Sequence, residues 1–334
     1  MRLKKCMTKL LLLLAAAWCL TGCSASKDSL EEIQIKELGN HLEQWQQELP
    51  QDTEFGGIGA NEIRGLKVQK KGETVFAVSY EPREGKETFD YWDISVPYHS
   101  LVSVNTEELY NLLGTAALMV WGEADGISIE EAGIKDSDTS VFLAYCKQSQ
   151  GEKGGAEPTG AQSILIGNTD GKGSYYAALE GSSKVGLVNQ ILMDEILNVE
   201  PYEYILKIPT LISVDTVKKV QIFTGEESHV MEQDEEGWKM DGEKVSQKDY
   251  QSLYGALLDV MLTGELDENV KAEKEREPFL TLQFIRKQED ISDVEVKYYS
   301  YDEEHMSVSV NGQENFLVEK DAVFTLKERI ETGI

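Results

Sequence analysis

Residues 105–125 read NTEELYNLLGTAALMVWGEAD, and residues 246–267 read SQKDYQSLYGALLDVMLTGELD. Each stretch opens on a capping side chain three residues before an acid, Asn105 before Glu108 and Ser246 before Asp249, a pattern typical of helix N-termini. Apolar residues then follow at i, i+3, i+4, i+7, i+8 and i+11, which predicts one buried stripe on each helix. The stripes correspond with a constant offset of 141 residues: Leu109, Leu112, Leu113, Ala116, Ala117 and Val120, against Tyr250, Leu253, Tyr254, Leu257, Leu258 and Met261.

Both helices lead into the same short motif. It reads Gly-Glu-Ala-Asp at 122–125 and Gly-Glu-Leu-Asp at 264–267. Because a glycine often follows the last turn of a helix, we expect each helix to end at this motif.

The correspondence extends to the flanking segments, which alternate like half-buried strands. Before the helices lie Leu66–Val68, Val75–Val78 and Trp92–Ile94 in the first copy, and Val220–Ile222, His229–Met231 and Trp238–Met240 in the second. After them, residues 174–181 correspond to 305–312 with an offset of 131. The smaller offset indicates an insertion in the first copy, for which the candidate is the Gly-rich loop from Ser149 to Gln162.

These segments predict an α+β fold of two related modules, residues 61–212 and 213–334. Each module is expected to run β-β-β-α-β-β-β-β, with one long amphipathic helix and a short closing helix, at Ile191 to Leu197 and at Ala322 to Ile330. Tight Gly, Asn and Asp turns between the strands favour mainly antiparallel sheets.

The N-terminus predicts an export signal, residues 1–22. A basic start precedes an apolar run from Leu10 to Leu20, which as a helix would reach about 16 Å and is too short to span a bilayer. The run closes on Leu20-Thr21-Gly22-Cys23, which resembles the lipobox of bacterial lipoproteins. That likeness implies cleavage between Gly22 and Cys23 and a lipid on the Cys23 sulfur; the alternative is an ordinary signal peptide cut near Ala25.

Residues 23–60 are predicted to be a tether and an amphipathic helix. Apolar residues recur from Leu30 to Leu49, so the helix ends before Pro50, and its charged face is acidic. It is expected to pack on the first module or to dock to a partner. Residues 51–60 are Gly-rich and predict a linker.

The net charge and the cysteines exclude several classes of ligand and a disulfide bond. Removal of residues 1–22 takes four positive charges from a chain of net charge −28, which leaves −32. So acidic a protein is a poor ligand for nucleic acid and for anionic lipid surfaces. Of the four cysteines only Cys146 would stay unmodified, which excludes an internal disulfide, and we expect a buried, inert thiol.

The order of several weak motifs resembles the bacterial proteins grouped as domain of unknown function 4340, over about residues 62–332. The motifs are the tryptophan strand before each helix, Glu131-Ala132-Gly133-Ile134, Ile164-Leu165-Ile166-Gly167, and Tyr175-Tyr176 followed by Gly181-Ser182. The sequence departs from the family at Ala132, where an aromatic residue is usual. The family has no settled activity, but the resemblance implies an exported accessory protein, in some cases of an ABC-type transporter system.

No catalytic or metal-binding constellation emerges from the sequence. The four histidines His41, His99, His229 and His305 are not at metal-ligand spacing, so no metal or cofactor is predicted. Residues 167–173, GNTDGKG, are one residue short of a phosphate loop and predict a hairpin turn instead. Asn168 with Asp170, or Asp136 with Asp138, could at most bind Ca²⁺ weakly.

We therefore predict a non-enzymatic, lipid-anchored interaction or accessory subunit on the extracytoplasmic face of a bacterial membrane. Its contacts would be the membrane, through the lipid on Cys23, and an integral-membrane protein. The alternative is a small-ligand or glycan receptor that uses the cleft between the modules, with Tyr91, Tyr98, Tyr175 and Tyr298 as exposed aromatic residues. An envelope hydrolase with paired carboxylates is the third hypothesis.

Overall fold

Within the residues that the structure describes, two antiparallel β-sheets and five α-helices make up an α+β fold, in a computed structural model. The structure describes residues 41–81, 91–99, 102–147, 157–225, 227–235, 237–267, 276–287 and 292–332. The predicted signal peptide, Gly22, Cys23 and the first part of the N-terminal helix lie outside these ranges, as do residues 148–156 of the predicted loop.

The first sheet has eight strands in the order β3-β2-β1-β5-β6-β7-β8-β4. The strands are β1 Ile63–Lys70, β2 Glu73–Tyr80, β3 Trp92–Val96, β4 Gly122–Glu123, β5 Ser140–Tyr145, β6 Gly160–Thr169, β7 Ser174–Leu179 and β8 Gly186–Asn189. The predicted loop thus ends earlier than expected, because Gly160, Ala161 and Gln162 pair with β5 as the start of β6.

The second sheet has nine strands in the order β12-β11-β10-β9-β14-β15-β16-β17-β13. They are β9 Val217–Phe223, β10 Ser228–Asp234, β11 Gly237–Met240, β12 Glu243–Lys244, β13 Leu262–Glu265, β14 Leu280–Arg286, β15 Val294–Ser300, β16 His305–Val310 and β17 Gln313–Glu319. With the short edge strand β12 set aside, the two sheets have the same strand order.

Five helices accompany the sheets: α1 His41–Glu48, α2 Thr106–Ala117, α3 Gln190–Leu197, α4 Gln247–Leu258 and α5 Lys320–Thr332. Both predicted caps are confirmed, because the Asn105 side chain accepts a hydrogen bond from Glu108 N and Ser246 Oγ accepts one from Asp249 N. The apolar stripes of α2 and α4 face the core, with Leu112 and Leu253 almost fully buried.

The predicted helix ends were wrong. Helix α2 stops at Ala117 and α4 at Leu258, so the last members of the predicted stripes, Val120 and Met261, lie beyond them and are exposed. The Gly-Glu motifs form the short strands β4 and β13, which pair with β8 and β17. Hydrogen bonding to a sheet edge thus replaces the glycine helix stop, and it adds one strand to each predicted module.

One apolar core cluster runs through both halves of the chain. It contains the inward faces of both sheets and the buried sides of α2 to α5. On the opposite face of the first sheet, Leu42 and Trp45 of α1 pack against Phe142 and Ala144. The described part of the predicted N-terminal helix therefore packs on the first sheet.

Residues 51–60 are packed against the first sheet and are not the expected linker. Asp52 accepts hydrogen bonds from the Tyr145 hydroxyl group (2.7 Å) and from Gln162 Nε2 (2.9 Å). Ile58 is buried in the main core, and the Phe55 ring contacts Trp121 edge to face. These contacts hold the segment to the sheet despite its glycines.

Candidate interaction surface

Two chain connections run side by side at one end of the first sheet. Strand β4 pairs with β8, with Gly122 opposite Leu187. Helix α2 packs on α3, where Thr115 Oγ donates a hydrogen bond of 2.9 Å to Glu195 Oε1. Because α2 leads into β4 and β8 leads into α3, residues 118–121 lie beside the first turn of α3.

Three large apolar side chains point to solvent at this place. The exposed fraction is 65% for Leu118, 74% for Val120 and 78% for Ile191. Their neighbours Met119 and Met193 point the other way and are buried in the core. The backbone is therefore anchored while the three apolar side chains face water, and clustered exposure of this kind typically marks a binding surface.

The apolar surface continues along α2. Tyr110, Gly114 and Leu118 are spaced four residues apart and therefore share one face of the helix. Tyr110 is 45% exposed, and a Cβ added at Gly114 would meet no atom within 4 Å. We refer to Tyr110, Gly114, Leu118, Val120 and Ile191 together as the α2 surface.

A fixed support lies beneath the α2 surface. The Trp121 ring packs over Gly186 of β8 so closely that a Cβ at residue 186 would lie 1.7 Å from Trp121 Cε3. The Phe55 ring contacts the Trp121 ring with a centroid distance of 4.2 Å. The segment of residues 120–123, which includes β4, is thus held between β8 and the packed N-terminal segment.

Carboxylates flank the α2 surface. Five of them are exposed: Glu107 and Glu108 in the first turn of α2, Glu123 and Asp125 in and after β4, and Glu195 one turn along α3 from Ile191. Gln190 N also donates a hydrogen bond to Gly173 O, which brings the β6–β7 hairpin close to the α2 surface. The charges of Asp170 and Lys172 in that hairpin offset each other. The five carboxylates named above therefore decide the sign, and the surroundings of the α2 surface are acidic.

The second sheet has an equivalent place that lacks two of the three exposed apolar residues. Leu118 is the C-cap of α2, with φ −83° and ψ −4°, and Asp259 is the C-cap of α4, with φ −81° and ψ −3°. Ile191 and Asp321 are each the second residue of the helix that follows β8 or β17. The second half therefore has aspartate at both positions, and Leu118 and Ile191 of the first half lie outside its core.

Of the remaining positions, only Tyr110 differs in the same sense, because Val120 and Met261 are both apolar and exposed and the glycine is shared. Tyr110 is matched by Gln251 and Val120 by Met261, at the offset of 141 found from the sequence, while Gly114 is matched by Gly255. A Cβ at Gly255 would also meet no atom within 4 Å. The second half thus offers a natural comparison for the first.

The predicted exposed tyrosines are a mixed result. Tyr91 is exposed and Tyr175 is half-buried, but Tyr98 and Tyr298 are fully buried. Tyr298 belongs to the inward face of β15, so its side chain packs in the core. These four residues do not form a shared aromatic surface.

Among the described residues, side chains of the two halves pack against each other where a cleft between the modules was expected. The Tyr98 hydroxyl group donates a hydrogen bond of 2.6 Å to Glu265 Oε1 of β13. The Tyr98 and Phe316 rings are 5.2 Å apart, and Tyr202 also packs on Phe316. Burial, together with the Glu265 hydrogen bond, raises the pKa of Tyr98.

A polar pocket of about 210 Å³ lies instead on the outer face of the first sheet, beside α1. Gln46, Gln69, Ser163 and Glu180 contribute to its lining. The adjacent Lys67 side chain is buried, and its Nζ donates a hydrogen bond to Gln46 Oε1. Burial lowers the pKa of Lys67, while the charges of Glu43 and Glu180 oppose that shift.

One row of residues has the types found in a hydrolytic triad but not the arrangement. Ser79 Oγ donates to Glu81 Oε1 at 2.8 Å, and His41 Nδ1 lies 2.9 Å from both Glu81 oxygens. The carboxylate stands between the other two groups, whereas an activated serine must contact the imidazole. This row is therefore suited to fixing α1 on the sheet.

Carboxyl groups with perturbed pKa values do not form an acid pair. For Glu130, Glu131, Asp170, Glu295 and Asp302 the pKa is lowered by hydrogen bonds from nearby donors. A glycosidase acid needs the opposite shift. Within the described residues, no group of three or more His, Cys, Asp or Glu side chains is placed to hold a metal ion.

The hairpin prediction for residues 167–173 is confirmed, because β6 ends at Thr169, β7 begins at Ser174, and Asp170 Oδ1 accepts hydrogen bonds from Lys172 N and Ser174 N in the turn between them. Gly167 has a packing role, since a Cβ there would lie 2.2 Å from Ala132 O. Cys146 is buried as predicted, directly after β5, and is a free thiol.

The sequence interpretation missed the α2 surface. The helical pattern placed Val120 on the buried stripe and Ile191 at the start of the short closing helix, and it assigned no role to Leu118. The repeat itself contains evidence for the exposure of these residues, because Asp259 and Asp321 occupy the positions that match Leu118 and Ile191. An aspartate at a matching position indicates solvent exposure at both places.

No protein-family model, curated protein or solved structure matches the chain. In the part of the chain that the structure describes, there is no helix of sufficient length and apolar character to cross a membrane.

Proposed function

We propose that this chain is a lipid-anchored extracytoplasmic protein that acts as a non-enzymatic interaction subunit of a membrane system. The anchor is proposed from Leu20-Thr21-Gly22-Cys23, with the lipid on Cys23. The observation that carries the interaction role is the α2 surface. An exported, strongly acidic protein gains nothing in solubility from exposing Leu118, Val120 and Ile191, whereas a binding surface uses them.

The two halves are proposed to be related copies of one module, of which only the first carries apolar residues at the positions of Leu118 and Ile191. The common strand order and the matching helix caps support this relationship. A duplicated scaffold with one modified copy is a simple route to a protein whose second half supports and positions the first. The resemblance to domain of unknown function 4340 suggests that the partner belongs to an ABC-type transporter system.

The test is co-purification from native membranes solubilised in a mild detergent. Full-length tagged protein should retain one defined membrane protein in near-equal amount. The double variant Leu118→Asp with Ile191→Asp should lose it, because burial of each apolar side chain contributes about 1.5–3 kcal/mol. Aspartate occupies both matching positions in the second half, so the variant is expected to fold.

A matched control is Met261→Asp, which changes the equivalent exposed position of the second half and should leave recovery unchanged. Recovery of the wild-type protein without any defined companion would contradict the proposed function. Equal recovery of a companion by wild type and the double variant would contradict the role of the α2 surface.

A further inference from the structure

The shape of the α2 surface limits what can bind to it. The stripe from Tyr110 to Leu118 extends about 12 Å along the helix axis, at 1.5 Å per residue. Gly114 lies at its middle, with open space where a side chain would be. A glycine inside a helix costs stability, by about 0.5–1 kcal/mol relative to alanine. No neighbour in the described part of the chain requires that glycine.

A gap between two apolar side chains on a helix is suited to another helix. Side-chain ridges of one helix pack into the grooves of its partner, and a small residue at the crossing point allows a close approach. Tyr110 and Leu118 would then lie on either side of the crossing helix, with Val120 and Ile191 extending the contact beyond the end of α2.

The flanking charges select the partner further. Glu107 and Glu108 lie at one end of the surface, and Glu123, Asp125 and Glu195 lie towards the other. A bound helix would place its own polar edges next to these carboxylates. Lysine and arginine at those edges would be attracted, whereas acidic side chains would be repelled.

From these observations we infer that the α2 surface binds a single amphipathic helix with cationic edges, which crosses α2 at Gly114. This inference rests on the proposed function and names the kind of partner segment. A second copy of this acidic chain is disfavoured by charge repulsion, and an anionic lipid surface is disfavoured for the same reason.

The experiment uses the full-length lipoprotein in nanodiscs of zwitterionic phosphatidylcholine and two designed helical peptides. The peptides share one apolar face; the edges are lysine in one and glutamate in the other. Binding is followed by fluorescence anisotropy. The lysine peptide should bind, and the glutamate peptide should bind at least about tenfold more weakly. Equal binding of both peptides, or of neither, would overturn the inference.

The double variant Leu118→Asp with Ile191→Asp separates docking from general charge attraction. It makes the protein more acidic, so attraction by charge alone would strengthen binding of the lysine peptide. Docking on the α2 surface instead predicts a loss of more than about tenfold. Binding that stays the same or rises would overturn the inference.

Gly114→Gln tests the crossing point, with Gly255→Gln as its matched control. Both changes remove a mid-helix glycine at which a Cβ would meet no atom within 4 Å, so both should raise Tm by about 2 °C. Only Gly114→Gln should weaken peptide binding. A loss of binding combined with a gain of stability cannot come from misfolding. Equal binding by the two variants would overturn the inference.

Two further outcomes would assign the surface to another occupant and overturn the inference. One is self-association of the wild type that the double variant abolishes, measured by sedimentation equilibrium in nanodisc-free detergent. The other is binding of the wild type, but not of the double variant, to phosphatidylglycerol vesicles. If the peptides fail while native co-purification still depends on Leu118 and Ile191, only the helix inference fails and the proposed function stands.

Discussion

Tyr98 and Glu265 join the two halves of the chain by a hydrogen bond of 2.6 Å from the tyrosine hydroxyl group to the carboxylate. Tyr98 follows the last strand on one edge of the first sheet, and Glu265 ends the edge strand β13 of the second. The Tyr98 ring is buried against Phe316, so the contact combines apolar packing with one charge-assisted bond. This junction links the half that carries the α2 surface to its neighbour.

Removal of the Tyr98 hydroxyl group should weaken the junction. Tyr98→Phe keeps the ring but leaves Glu265 without this donor, and we expect the free energy of unfolding to fall by about 1 kcal/mol. Urea unfolding of Tyr98→Phe, Glu265→Ala and the double variant gives the coupling between the two groups. If the two single effects simply add, the bond does not contribute to stability.

Stability should decline at alkaline pH because of buried tyrosines. Burial raises the pKa of Tyr250 to about 12, above the ordinary value of 10.0. Burial also raises the pKa at six others, Tyr98, Tyr145, Tyr202, Tyr204, Tyr254 and Tyr298, and at Tyr175 the hydrogen bond to Asp194 raises it. The unfolded chain therefore loses tyrosine protons at lower pH than the folded chain, and stability falls as pH rises above about 10.

The measurement is urea unfolding at several pH values, combined with the absorbance of tyrosinate. Most tyrosinate absorbance should appear together with the loss of folded circular dichroism. Gradual ionisation of all tyrosines near pH 10 in a chain that stays folded would show that the burial is wrong.

The support beneath the α2 surface depends on Gly186. In Gly186→Ala the new methyl group would overlap Trp121, and either the ring or β8 must move, at a cost of about 1–3 kcal/mol. The control is Gly122→Ala in the paired strand, where the nearest atom, Leu187 Cβ, is 3.4 Å away and the cost should be about 0.5 kcal/mol or less. Equal thermal stability of the two variants would show that Trp121 does not lie where the structure places it.

Membrane attachment should depend on Cys23. The proposed lipid supplies two acyl chains, which are sufficient for stable anchoring. Cys23→Ser should therefore move the protein out of the membrane fraction of the cell. Cys146→Ser is the control, because Cys146 is buried and free, and it should stay with the membrane. A membrane fraction unchanged by Cys23→Ser would refute the lipid anchor.

The sequence predicted the local structure of both halves well where interactions between residues close in the chain decide it. Side-chain caps and the 3.6-residue period located α2 and α4, and the tryptophan segments became β3 and β11 as expected. The helix ends failed because strand pairing at a sheet edge decided them, and the partner strands β8 and β17 lie more than fifty residues away along the chain.

That error also concealed the candidate site. Once Val120 is assigned to a buried stripe, its exposure and its position near Ile191 cannot be seen. Likewise, burial of Tyr98 and Tyr298 follows from the strand faces and from the contact between the halves, neither of which local composition encodes.

The most direct test places a photo-crosslinking amino acid at position 118 of the full-length protein in intact cells, with position 259 as the matched site in the second half. Illumination should yield one discrete adduct with a membrane protein from position 118 and none from position 259. Absence of an adduct at 118, or the same adduct from both positions, would contradict the assignment of the α2 surface as the place where this protein meets its partner.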